Sequence, residues 1–164
     1  MEGILIANKT YALPSKYNPD MNKAVLNAFY KMQQAAWKDG INLWICSGFR
    51  SYSYQKYLYS SYAARDGKAA ADRYSARPGH SEHQTGLAMD VNNASSSFEG
   101  TKEAKWLAAN CSDYGFIIRY PKNKESVTGY KYEPWHIRYL GVKTAKAVEK
   151  SGKCLEEYLG ITSK

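Results

Sequence analysis

The chain has 164 residues, 44% of them apolar and 23% charged, with a formal net charge of +8. That length suits one domain with a real core, and that balance excludes a disordered or fibrous chain. No stretch approaches the about 18 consecutive apolar residues of a membrane span, and no secretory leader is legible at the start, so if the protein is exported its targeting segment lies outside this sequence.

Residues 1–18 read as an extended strap, with Pro14 and Pro19 as punctuation, ahead of a folded domain over residues 19–164. From Asp20 to Asp39, Met21, Val25, Ala28, Met32, Ala35 and Ala36 recur at three- and four-residue steps and Gly40 supplies a stop, which predicts a helix. "INLWIC" then reads as a short buried strand in which Cys46 acts as a small apolar side chain. "SGFRSYSYQKYLYSSYAARDG" is a turn running into a second helix, capped by Ser51 or Ser53 and closed by Gly67. Residues 75–82 form a loop. "LAMDV" alternates as a strand, with Leu87, Met89 and Val91 on one face and Ala88 and Asp90 on the other. A polar loop leads to the helix "TKEAKWLAANCSDYG", stopped near Gly115. "FIIRY" and "WHIRYLG" are strands, and the C-terminal region holds one or two short helices. The order α-β-α-β-α-β-β-α predicts a single α+β domain with a small central antiparallel sheet flanked by helices.

The three cysteines, Cys46, Cys111 and Cys154, match no CxxC pattern. Cys111 and Cys154 are open to pairing in an exported protein, and an odd count leaves one thiol free. The basic balance admits an anionic partner such as nucleic acid, anionic lipid or a wall polymer, yet no dense Lys/Arg block appears, and a diffusely charged, solvated surface is the preferred reading.

The chemistry concentrates in "GHSEHQTGLAMDV" and, far downstream, in "YEPWHIRY". His83, Asp90 and His136 offer two imidazoles and a carboxylate, a donor set zinc accepts in tetrahedral geometry with one position left open. Glu133, three residues before His136, is placed to move a proton without binding the metal. Pro134 forbids a continuous helix there, so this pair differs from the helical HExxH. The small Gly86 and Ala88 leave room for metal and substrate. Taken singly, each histidine is more commonly structural than ligating, and His80 with His83 forms a rival pair that lacks a nearby third ligand.

"SEHQTGLAMD" has the form SxHxxGxAxD and "EPWH" the form ExxH. With "SGFRS" upstream, the segment from about residue 20 to 160 resembles the zinc D,D-carboxypeptidases of the VanY type and their D,D-dipeptidase and L,D-carboxypeptidase relatives. The resemblance implies zinc on His83, Asp90 and His136 in a cleft, Glu133 as catalytic base, and Arg50 stabilising the oxyanion or holding the substrate carboxylate. It implies substrate contacts from Ser81 and Gln55, and Trp135 as a wall of the pocket. The expected substrate is a peptidoglycan stem peptide ending in D-Ala-D-Ala, handled by a monomer at the bacterial envelope. An L,D-carboxypeptidase acting on tetrapeptide stems and a non-catalytic, zinc-containing wall-binding module are the alternatives. Some dipeptide-cleaving relatives carry an acid where Ser47 stands, and the neutral residue favours a longer peptide. A nucleic-acid binder is the third class, without any basic-aromatic motif to support it.

Overall fold

A computed structural model describes residues 3–164. Among the described residues, seven α-helices surround a four-stranded antiparallel sheet in the order β1-β2-β4-β3. The strands are β1 (Ile45–Ser47), β2 (Ala88–Val91), β3 (Phe116–Tyr120) and β4 (Glu133–Tyr139).

Helix α1 (Lys23–Lys38) begins where the Asn22 side chain accepts from the Ala24 and Val25 amides, so the cap places its start three residues after Asp20. Its apolar stripe of Val25, Phe29, Met32 and Ala36 packs with Met89, Val91, Phe116 and Ile137 to form the main core on one face of the sheet. Helix α2 (Tyr52–Asp66) is capped by Ser51 and ends at Gly67, as its sequence indicates. Its tyrosines are spread around the axis, and Gln55 is its one buried residue. A further turn, α3 (Lys68–Ala71), follows it.

The "TKEAKWLAANCSDYG" helix divides into α4 (Lys102–Asn110) and a 3₁₀ turn over Cys111–Tyr114, closed by Gly115 in the left-handed region. After the short α5 (Glu125–Thr128) and β4, the C-terminal region is two helices, α6 (Val142–Ser151) and α7 (Leu155–Leu159).

Two local expectations change, and the open question of the cysteines is answered. Only Ile45 and Cys46 of "INLWIC" lie in the strand, which runs on to Ser47, and Cys46 is exposed, because the alternation that turns Leu43 inward turns Cys46 out. Cys111 and Cys154 are both buried and both free. Gly86 makes no room at the site. It adopts φ +71°, and a Cβ there would overlap the backbone carbonyl oxygen of Asp20, so the residue serves a close approach of the N-terminal segment. The Asn22 amide donates to the Gly86 carbonyl across the same junction.

The opposite face of the sheet is only partly apolar: Ile117 packs there with Ala145, Val148 and Leu155, and charge lines the rest. Asp90 pairs with His136, and Ala88 with Arg138, across β2 and β4, while Ile117 faces Arg138 from β3. Residues at alternate positions along these strands, Arg119 with Ile117 and His136 with Arg138, therefore share that face. The charge there must be paired internally.

Candidate metal centre and its cleft

Asp90 and His136 are direct cross-strand neighbours, which brings their side chains together on one face. His83 reaches them from a 3₁₀ turn over Glu82–Thr85 that follows directly on the loop read over residues 75–82. The Ser81 hydroxyl accepts from the His83 amide at 3.3 Å and caps that turn. One donor atom from each of His83, Asp90 and His136 lies within 4.8 Å of the other two, and all three residues are buried.

Glu133 and His136 are three apart on a strand, a spacing that normally points side chains to opposite faces. Here Ile118 pairs with Ile137 but Tyr120 pairs with Glu133, so β4 carries extra residues between Glu133 and His136. This bulge, which contains Pro134, re-aims Glu133, and its Oε2 comes to 3.4 Å from His136 Nδ1.

Hydrogen bonds select the ligating nitrogens. His83 Nδ1 is 2.7 Å from the Gly48 carbonyl. A carbonyl only accepts, so Nδ1 carries the proton and Nε2 offers its lone pair. That Nε2 lies 3.2 Å from Asp90 Oδ1 and 3.3 Å from Arg50 Nη2. His136 Nδ1 lies 3.5 Å from the same Asp90 Oδ1, and its Nε2 faces Glu82 Oε2 at 3.4 Å. Asp90 Oδ1 itself is buried without a hydrogen-bond partner. A carboxylate oxygen left bare between two imidazoles is what a divalent cation would satisfy, and the N, N, O set suits zinc.

Charge is arranged accordingly. Burial works against ionised Asp90, but its hydrogen-bonding and charged neighbours His83, His136 and Arg50 together outweigh it and hold the carboxyl at about 2. Burial pushes the His83 imidazole down, so it stays neutral and able to ligate. Burial also opposes charge on His136, yet the carboxylates of Glu133, Glu82 and Asp90 raise it to about 9. A cation entering here displaces a proton from His136.

Arg50 enters from the segment after β1. Its Nη2 donates to Asp90 Oδ2 at 2.9 Å, its Nε to Ser47 Oγ at 3.0 Å, and its Nη1 to Gln55 Oε1 at 3.4 Å. Gln55 is anchored in turn, donating to the Ala76 carbonyl at 2.7 Å and to Ser75 Oγ at 3.3 Å. Arg50, Gln55, Ser81, His83, Asp90, Glu133, Trp135 and His136 all line one cleft of about 480 Å³. Tyr120, Tyr130 and Tyr132 complete a largely aromatic wall. His80 stands apart from this group: its Nδ1 is 2.7 Å from the Asn8 carbonyl.

Motif reading missed the ionic core behind the ligands. Glu82 Oε1 accepts from Arg119 Nε at 2.7 Å and Arg138 Nη1 at 2.9 Å, and Arg119 also donates to Glu156 at 2.6 and 2.8 Å. All four side chains are essentially inaccessible. The available signal was an arginine inside each of two apolar strand sequences, "IIRY" and "HIRY", which calls for a buried acid.

A family model described as "VanY: D-alanyl-D-alanine carboxypeptidase" matches residues 18–142. The chain is 42% identical to the putative carboxypeptidase YodJ of Bacillus subtilis, across 96% of this chain. It spans between 44% and 67% of the lengths of the curated relatives it matches. Among solved structures, an L,D-carboxypeptidase DacB of Streptococcus pneumoniae is 48% identical, with a TM-score of 0.87 over 98% of this chain and 88% of that one. A vancomycin-resistance D,D-pentapeptidase VanY variant in complex with Zn(II) is 32% identical, with a TM-score of 0.85 over 94% of this chain and 97% of that one.

Proposed function

Because the chain belongs to the VanY family of D-alanyl-D-alanine carboxypeptidases, we propose that it removes the C-terminal D-alanine from peptidoglycan stem peptides by zinc-assisted hydrolysis. The observation that carries this reading is the bare Asp90 Oδ1 between two buried imidazoles, with the Glu133 carboxylate beside it in an open cleft.

His83 Nε2, Asp90 Oδ1 and His136 Nδ1 would hold the zinc. A zinc ion there supplies Lewis acidity, which polarises a carbonyl and eases deprotonation of water. Glu133 takes the proton from the attacking water and returns it to the amine nitrogen as the C–N bond breaks. The Arg50 guanidinium, fixed by Ser47, Gln55 and Asp90, presents permanent positive charge to the oxygen that becomes anionic. Gln55 serves by holding Arg50, and Ser81 by capping the turn that carries His83, which adds positioning to the substrate contacts the resemblance implies. Trp135 and the tyrosines shape a wall for the peptide stem. An envelope location follows from such a substrate, and no described helix is long and apolar enough to cross a membrane.

The motifs alone put the D,D reaction on pentapeptide stems first. The 48% identity to an L,D-carboxypeptidase, against 32% to the D,D-pentapeptidase, favours a tetrapeptide whose scissile bond joins an L-centre to D-alanine. Zinc-loaded enzyme given equal amounts of tetrapeptide and pentapeptide stems is expected to release D-alanine faster from the tetrapeptide, read by mass spectrometry. Cleavage of the pentapeptide alone would restore the D,D reading. Release from neither would overturn the proposed function.

A further inference from the structure

We infer that Glu82 is the positioning residue of the metal centre: its carboxylate, clamped by Arg119 and Arg138, fixes the ring and tautomer of His136 so that Nδ1 faces the cation. This rests on the metal-binding reading above and extends it to a residue that is no ligand.

Glu82 has no accessible side-chain surface. Its Oε1 is occupied by Arg119 Nε and Arg138 Nη1, which leaves Oε2 for His136 Nε2 at 3.4 Å. The clamps are themselves anchored. Arg119 donates twice to Glu156, and Arg138 Nη2 donates to the Leu5 carbonyl at 2.7 Å. The carboxylate therefore has one orientation, and a carboxylate can only accept, so Nε2 must bear the hydrogen. With Nε2 committed to Glu82, Nδ1, which faces Asp90 Oδ1, is the nitrogen left to turn its lone pair to a cation. Tyr120 and His83 pack against the same ring, each with its centroid 4.9 Å away, and they confine the ring's tilt without selecting a tautomer.

Glu82→Gln separates this role from a merely structural one. Two arginines claim the amide oxygen, so the amide NH₂ meets His136 Nε2. A donor there obliges Nε2 to accept and moves the proton to Nδ1, where it blocks ligation. Glu156→Gln is the control: its amide oxygen still accepts from Arg119, which stays bonded to Glu82, so the clamp is kept while a charge is lost from the same cluster away from His136.

Zinc affinity, measured by competition with a chromophoric chelator, and the visible spectrum of the cobalt(II)-substituted protein are compared for the wild type and both variants. Glu82→Gln is expected to bind zinc about 10- to 100-fold more weakly, the usual scale for losing an outer-shell partner, with altered cobalt bands. Glu156→Gln is expected to melt earlier than the wild type yet keep wild-type zinc affinity and bands. Unchanged affinity in Glu82→Gln, or an equal loss in Glu156→Gln, overturns the inference while leaving the metal-binding reading intact. A wild type that binds no zinc overturns both.

Discussion

Glu133→Ala is expected to keep the fold and the metal while lowering turnover of a stem peptide on the order of a hundredfold or more, the range for loss of a general base. The residue sits at the bulged start of β4, lines the cleft, and reaches the ligand group without belonging to the buried trio. Its side chain is 12% exposed, so removing it opens the cleft and leaves no core cavity. Glu133→Gln should fall as far, since the amide keeps the shape but cannot take the proton. Steady-state release of D-alanine, with zinc content measured on the same samples, checks this. Turnover near wild type in either variant would remove Glu133 from the mechanism.

Arg119→Met is expected to cost about 3–5 kcal/mol of stability, because it takes a shared cation from two inaccessible carboxylates, leaving Glu82 to Arg138 and Glu156 without any charged partner in the cluster. For a chain of this size that is a fall in melting temperature on the order of 10 °C. The ion cluster is not inherently superior to an apolar core. The cost arises from breaking it on one side only. Adding Glu156→Gln to Arg119→Met should therefore recover part of the loss, a non-additivity that thermal melts of the two single variants and the double variant would reveal. Simple additivity would show that the two side chains do not act as a unit.

Much of this was legible in the sequence because the relevant patterns are local. The 3.6-residue stripe of α1 and the alternation of "LAMDV" fix which faces meet the apolar core, and the spacing of the SxHxxGxAxD segment carries the ligand set. What the sequence hid depends on register. No local rule shows that β4 bulges between Glu133 and His136, yet that bulge is what lets an i,i+3 pair on a strand face the same way. Likewise "INLWIC" reads as a short buried strand, but pairing with β2 spans only Ile45–Ser47, and alternation turns Cys46 to the exposed side. The Glu82 cluster joins residues 37 and 56 positions apart, so each arginine looks misplaced until the fold supplies its acid. Gly86 is legible as a turn glycine, but its reason, the approach of the Asp20 carbonyl, lies in another segment.

The central claim is that His83, Asp90 and His136 hold one zinc. Its most direct test is the zinc content per chain of the purified wild type, His136→Ala and His80→Ala, by elemental mass spectrometry. The account predicts about one zinc in the wild type and in His80→Ala, and most of it lost in His136→Ala. Full zinc in His136→Ala, or its loss in His80→Ala, would contradict the site described.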